Sequence, residues 1–156
     1  MLHRHSLLIA LVLSCAPAAA VPPLGDITHV PVMDTGGKTT NLATLAHGRV
    51  TVASLWAPWC EGCREEEPAL LRLHQLSLER RDFVLVSIAI DAKAEEVAAM
   101  QLPYPRLVDT GAFAEVGHRR VPTTFVIDAS GRTVYEGGAL DRAALDALTK
   151  ALHQAN

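Results

Sequence analysis

Continuous apolar segments and amphipathic segments alternate along the chain after residue 20. Arg49 to Leu55 and Phe83 to Ile90 are apolar and rich in β-branched residues, which is typical of buried strands. Phe83 to Ile90 is the more apolar of the two and is predicted to be a central parallel strand. A helical pattern from about Cys60 to Glu79 separates them and predicts a right-handed strand–helix–strand crossover. Leucines repeat along one side of this helix: Leu70, Leu73 and Leu76.

The segments on either side of this unit predict antiparallel strands. Ile27 to Met33 and Thr39 to Leu42, joined by a turn, predict an N-terminal β-hairpin. Thr123 to Asp128 and Arg132 to Glu136 predict a closing hairpin, and Asp141 can cap a last helix. That helix is predicted to bury three leucines: Leu145, Leu148 and Leu152. Three short elements complete the series: helices at Ala94 to Met100 and Ala112 to Val116, and an extended segment at Arg106 to Asp109. The order predicts an α/β domain, a mixed central sheet with helices on both faces.

Residues 1–20 have the layout of a secretory signal peptide. A basic start precedes an apolar stretch from Leu7 to Leu13 and a run of small residues that ends at Ala20. Cleavage after Ala20 gives a mature domain at 21–156. An alternative stays open, because the residues up to Cys15 also resemble a lipoprotein box, in which Cys15 becomes a lipid anchor. Both alternatives predict export to the periplasm, free or tethered to the membrane, where thiols meet oxidants.

Composition excludes several classes of protein. The chain has 156 residues and a formal net charge of -3, so there is no basic excess for binding nucleic acid. An apolar content of 49% is ample for the core of one domain. With only three cysteines, the protein is not a disulfide-stapled scaffold. We expect a monomer without a nucleic-acid partner.

Two of the three cysteines form the motif Cys60-Glu61-Gly62-Cys63, where a strand and a Pro58 turn lead into a helix. Unpaired N–H groups at a helix N-terminus favour negative charge, so we expect the Cys60 thiol to be unusually acidic. A thiolate is the species that attacks a disulfide. Cys63 follows about one helical turn later, close enough to form a disulfide with Cys60. The motif therefore predicts a redox site with Cys60 as the exposed nucleophile and Cys63 as the resolving thiol.

A cysteine pair at this spacing can also belong to a zinc site or form a purely structural disulfide. A structural zinc site needs four ligands, but His74 and His118 are isolated in the sequence, so no metal is predicted. A purely structural disulfide is disfavoured, because so short a loop restrains little of the unfolded chain.

The motif and its surroundings resemble the thioredoxin superfamily and, more narrowly, the exported TlpA/DsbE-like branch of thiol:disulfide interchange proteins. Three segments carry the resemblance: Trp56 to Cys63, Pro68, and Val121 to Asp128. It extends over about residues 25 to 153 and implies a thioredoxin fold with an N-terminal β-hairpin extension. It also implies a cis peptide bond between Val121 and Pro122, facing the cysteine pair.

The resemblance also suggests roles for single residues. Glu66 lies three residues after Cys63, on the same side of the helix, and matches an acidic position that exchanges a proton with the resolving thiol. Ser54 stands where cytoplasmic thioredoxins carry a buried Asp, which leaves more of the proton transfer to Glu66. The expected client-binding residues are Trp59, Val121, Pro122 and Thr123. For Glu66 the alternative is a solvated acid in the first turn of the helix.

The implied function is reduction of disulfides in specific protein clients, of the apocytochrome c or copper-site maturation type. A thiol electron donor in the membrane would re-reduce the pair, and no cofactor is expected. Two alternatives stay open. A copper-binding chaperone of similar fold would use the soft thiolates as Cu(I) ligands. A disulfide oxidase would use the same pair in the opposite direction, which the redox potential decides.

Overall fold

The computed structural model describes residues 26–155. The predicted leader, with Cys15, lies outside the described residues. Twelve elements follow one another along the chain: β1 (Val32–Asp34), β2 (Thr39–Thr40), α1 (Leu42–Ala46), β3 (Val50–Trp56), α2 (Glu61–Glu79), β4 (Phe83–Ala89), α3 (Ala94–Ala99), β5 (Arg106–Asp109), α4 (Ala112–Glu115), β6 (Thr123–Ile127), β7 (Thr133–Gly137) and α5 (Arg142–Ala155).

The strands form one mixed sheet of seven strands in the order β2-β1-β5-β4-β3-β6-β7. Both neighbours of β4, which are β3 and β5, run parallel to it. The remaining pairs are antiparallel. The predicted central strand is confirmed, because β4 occupies the middle of the sheet. Since α2 begins where β3 ends, the cysteine motif lies at the edge of the sheet formed by the carboxyl ends of β3 and β4.

Side chains alternate between two hydrophobic cores, one on each face of the sheet. Val52 and Leu85 pack with Leu70 of α2 and Leu148 of α5 on one face. The other face carries α1, α3 and α4, through residues such as Phe113. Helices on both faces of a mixed sheet confirm the predicted thioredoxin-like fold. Within residues 26–155, no helix has the length and apolar character needed to cross a membrane.

The N-terminal hairpin exists but is shorter than predicted. β1 pairs antiparallel with β2 and with β5, so the hairpin extends the sheet at one edge. Leu42, which was predicted to end the second strand, instead begins α1, a helix that the pattern did not reveal. The side chain of Asn41 caps this helix by accepting a hydrogen bond of 2.8 Å from the Thr44 N–H. The helix cap formed by Asn41 therefore makes this segment helical, although its sequence pattern predicts a strand.

Leu145, which is predicted to be buried, is exposed, and so is Leu76 on the leucine-bearing side of α2. Leu76 of α2 is 42% exposed and Leu145 of α5 is 44% exposed. Each lies at the edge of its helix's buried face, roughly 75–100° around the axis from the centre of that face. The buried residues of α5 are Ala144, Leu148, Ala151 and Leu152. Leucine spacing therefore indicated the buried side of the helix but not how far it extends around the axis.

A matched pair of leucines tests the core assignment. Leu85 of β4 is 1% exposed, whereas Leu78 of α2 is 73% exposed. We expect Leu85→Ala to lower the free energy of unfolding by about 2–5 kcal/mol, because it removes apolar contacts and leaves a cavity. Leu78→Ala is expected to change it by no more than about 0.5 kcal/mol. Urea denaturation measures both values, and equal losses would contradict this core.

Candidate active site

Cys60 and Cys63 are joined by a disulfide, with their Cα atoms 5.3 Å apart. β3 ends at Trp56, and a turn closed by a 3.0 Å hydrogen bond from the Cys60 N–H to the Ala57 carbonyl leads into α2. Cys60 is the N-cap residue of this helix. The predicted position of the motif, at the junction of a buried strand and a helix, is therefore confirmed.

The sulfur of Cys60 lies against the N-terminus of α2. Its Sγ accepts a hydrogen bond of 3.1 Å from the backbone N–H of Cys63. The first N–H groups of a helix have no partner within the helix, and together they carry a partial positive charge. A negative charge on Cys60 Sγ is therefore stabilised both by a hydrogen bond and by the helix dipole.

Exposure does not distinguish the two cysteines in this disulfide form. Cys60 is 6% exposed and Cys63 is 8% exposed. The expectation that Cys60 is the more exposed residue is wrong for this state. Both residues pack in the core together with Trp56 and Ala57, and Sγ of Cys60 turns back toward the helix. Trp59, immediately before Cys60, is 63% exposed and supplies apolar surface at the site.

The loop before β6 lies against the cysteine motif. Its Val121–Pro122 peptide bond is cis, as the resemblance implied. A Cβ atom added to Gly62 would lie 3.9 Å from Cδ of Pro122, so the first turn of α2 faces this proline. The buried Thr123 holds the loop, because its hydroxyl donates a 2.8 Å hydrogen bond to the Arg120 carbonyl. The fold thus brings together two segments that are far apart in sequence.

Glu66 is a buried carboxylate and not a solvated acid of the first turn. It is 6% exposed, whereas Glu65 is exposed and Glu67 half-buried. Its Oε1 accepts hydrogen bonds from the Leu140 N–H at 2.5 Å and the Thr124 hydroxyl at 3.4 Å. Burial raises the pKa of Glu66 above its ordinary value, and these two hydrogen bonds offset part of the increase.

Three buried polar atoms in residues 26–155 have no hydrogen-bond partner: Ser54 Oγ, Trp56 Nε1 and Glu66 Oε2. The residues that carry them line one small cavity of about 50 Å³, and Cys63 lines it as well. Unpaired polar atoms are rare in protein interiors, so this cavity beside Cys63, here called the polar cavity, is a candidate part of the site. Ser54 and Trp56 face it together because alternate residues of a strand share a face.

Tyr104 also lines the polar cavity, and sequence reasoning missed it. Burial, followed by the negative charges of Glu67 and Glu66, raises the pKa of Tyr104 to about 12. The phenol therefore stays protonated at neutral pH. No sequence signal marks Tyr104, because it follows a short loop and reaches the cavity only through the tertiary fold. Trp56 belongs to the segment that carries the resemblance, but its sequence position does not indicate that the residue lines this cavity.

A groove runs along the loop before β6. Residues 117–123 and 136–138 line this cavity of about 350 Å³, here called the cis-proline groove. Nδ1 of His118 lies 3.2 Å from Oε1 of Glu136, and its ring packs edge-on against Phe125 with centroids 5.0 Å apart. His118, isolated in the sequence, thus has a fixed position in the fold.

Copper binding would require a further ligand near the two thiolates. Within residues 26–155, no group of three or more His, Cys, Asp or Glu side chains is placed to hold a metal ion. The histidine His118 lies against Glu136. No observation on these residues therefore favours copper over disulfide exchange.

The sequence is similar to those of two thiol:disulfide interchange proteins. The thiol:disulfide interchange protein HelX of Rhodobacter capsulatus is 35% identical over 120 residues, which are 75% of this chain and 62% of HelX. The thiol:disulfide interchange protein DsbE of Allochromatium vinosum is 28% identical over 122 residues, 74% of this chain and 60% of DsbE. The chain thus spans less than two thirds of the length of either relative.

A solved structure and a family match extend the similarity to the fold. The crystal structure of a thiol:disulfide interchange protein of the thioredoxin family from Chlorobium tepidum is 27% identical, with a TM-score of 0.64. The similarity covers 86% of this chain and 99% of that one. Residues 16–145 match the Redoxin family, and this range includes the cysteine motif, Glu66 and the cis-proline. The chain therefore belongs to the Redoxin family.

Proposed function

We propose that this protein is a thiol:disulfide oxidoreductase that reduces disulfides of protein clients through Cys60 and Cys63. One observation carries the proposal: a disulfide at the N-terminus of α2 lies beside the cis Val121–Pro122 loop. Two relatives named as thiol:disulfide interchange proteins support the same chemistry.

The proposed cycle moves two electrons from the cysteine pair to the client. The Cys60 thiolate attacks one sulfur of the client disulfide, a Cys60–client bond forms, and one client thiolate leaves. The Cys63 thiolate then attacks Sγ of Cys60 and displaces the second client thiolate. The client is reduced, the Cys60–Cys63 disulfide has formed, and a thiol donor in the membrane restores the dithiol.

The loop before β6 is proposed to hold the client chain. Among the turn and loop hydrogen bonds of residues 26–155, none uses the backbone of Val121. Its N–H and C=O groups can therefore pair with an extended client segment, in the manner of an added strand. Pro122 follows without an N–H of its own, and Thr123 fixes the loop through Arg120. The exposed ring of Trp59 offers an apolar contact next to Cys60.

The client class and the compartment are proposed from the sequence. The resemblance to the TlpA/DsbE-like branch supports clients of the apocytochrome c or copper-site maturation type. The signal-peptide layout of residues 1–20 supports export to the periplasm. If cleavage occurs before Cys15, a lipid on that cysteine would tether the domain near its membrane donor.

Substitution of each cysteine tests the assigned roles. We expect Cys60→Ala to abolish reduction of insulin, because the attacking sulfur is removed. Cys63→Ser should retain the attack but trap the client as a covalent mixed disulfide, since no thiol resolves it. Non-reducing gels and mass spectrometry of the trapped species measure this and identify clients. The double variant Cys60→Ala/Cys63→Ser is the control that traps nothing, and full turnover by Cys60→Ala would refute the nucleophile.

Glu66 is proposed to accept the proton of Cys63 before Cys63 attacks. Glu66 and Cys63 line the same polar cavity, and Oε2 of Glu66 has no hydrogen-bond partner among residues 26–155. The volume of about 50 Å³ has room for an ordered water. Such a water could bridge the carboxylate, Ser54 and Trp56 and carry the proton. A carboxylate with a raised pKa is the stronger base, which suits this transfer.

The isosteric variant Glu66→Gln tests the proton transfer. Its amide can keep the hydrogen bond from Leu140 but cannot accept the proton. We expect the resolving step to slow by about 100-fold, the lower end for general base catalysis, with accumulation of the mixed disulfide. In the wild-type protein this rate should rise with pH through the raised pKa of Glu66, and in the variant that rise should be absent. Glu65→Gln, at an exposed neighbour, is the control; an unchanged rate in Glu66→Gln would exclude the role.

The same variant has a separate signature in stability. Because the pKa of Glu66 is raised in the folded state, its contribution to stability is fully present below the ordinary value of 4.5 and is lost as pH rises through the folded pKa. Glu66→Gln removes this loss. We expect the variant to gain stability relative to wild type as pH increases from about 4 to about 7. Urea midpoints measure the trend, and a difference independent of pH would contradict it.

A further inference from the structure

Two arginines stand beside the proposed client-binding loop. Arg119 and Arg120 immediately precede the cis Val121–Pro122 bond, and both are exposed and line the cis-proline groove. Within residues 26–155, neither guanidinium takes part in the ion pairs, which involve other arginines, Arg80 and Arg132. Both cations are therefore available to an incoming anion.

Glu136, which lies in the lining of this groove, is already in contact with His118. Among residues 117–123 and 136–138, Glu136 is the only acidic residue, and its Oε1 lies 3.2 Å from Nδ1 of His118. The His118 ring is held in turn against Phe125. The groove therefore presents two cationic side chains whose charge no acid of its own lining has paired.

The two arginines differ in their surroundings. Arg119 also lines a second cavity of about 260 Å³, together with Asp91 and Asp109. These carboxylates lower the positive potential around Arg119. Arg120 lines the cis-proline groove and not the second cavity. The larger share of any attraction for an anion is therefore expected from Arg120.

We propose that Arg119 and Arg120 select client polypeptides that carry Asp or Glu next to the reactive cysteine. This inference rests on the proposed function. A client strand paired with the Val121 backbone would place the residues that flank its cysteine over the cis-proline groove. The planar guanidinium binds a carboxylate through two parallel hydrogen bonds. Since the whole chain has a net charge of -3, the attraction must arise locally and should weaken as salt screens it.

Peptide disulfides that differ only in their flanks test the selection. One substrate carries Asp and Glu on both sides of its cysteine, and the other carries Asn and Gln. At low salt we expect the wild-type protein to reduce the acidic peptide with a kcat/KM about tenfold higher, the size expected for two exposed charge pairs. Arg119→Gln/Arg120→Gln should bring the ratio to about one, and Arg120→Gln alone should lower it more than Arg119→Gln.

Arg81→Gln is the matched control. Arg81 is exposed and lies in the loop before β4, at the opposite edge of the sheet from the cysteine motif, so its variant should keep the full preference. Equal reduction of the two peptides by the wild-type protein, or a preference that persists in the double variant, would overturn the inference. Such a result would leave the oxidoreductase function intact, because the neutral peptide is still reduced. Failure to reduce either peptide would instead refute the proposed function on which the inference rests.

Discussion

The contact between the sulfur of Cys60 and the N-terminus of α2 is the interaction on which the rest of the site depends. The hydrogen bond from the Cys63 N–H, 3.1 Å long, ties the reactive sulfur to the positive end of a 19-residue helix. This geometry requires a buried strand to end a short turn before the helix begins. β3 meets that requirement, since all seven of its residues are buried and it pairs with β4 on one side and β6 on the other. The sheet therefore fixes the chemistry of the sulfur by fixing the start of the helix.

The cis-proline loop lies on one side of the disulfide and the polar cavity lies on the other. In the proposed cycle, the cis-proline loop offers its backbone and two arginines to a client, and Pro122 of this loop lies next to Gly62 in the first turn of α2. On the inner side, α2 places Glu66 and Cys63 in the lining of one polar cavity. In the proposed cycle, client attack and proton transfer therefore take place on different sides of the N-terminal part of α2.

Sequence reasoning located the site but not all of its surroundings. The strands and the start of α2 followed from local patterns and from the resemblance, which also distinguished Glu66 from its two acidic neighbours. The predicted burial of Leu145 was wrong, and Leu76 is exposed although it follows the spacing of Leu70 and Leu73, because leucine spacing does not reveal how far a buried helix face extends around the axis. The low exposure of Cys60 and the position of Tyr104 in the lining of the polar cavity depend on packing between segments that are far apart in the sequence. A single sequence carries no signal for such packing.

The most direct measurement of the central claim is the rate of alkylation of each cysteine in the reduced protein. Iodoacetamide is applied at about pH 5.5, far below the pKa of about 8.5 of a free cysteine, and peptide mapping follows Cys60 and Cys63 separately. If the helix N-terminus stabilises the thiolate, Cys60 reacts much faster than free cysteine while Cys63 stays unlabelled. A Cys60 rate no higher than that of free cysteine would contradict the account.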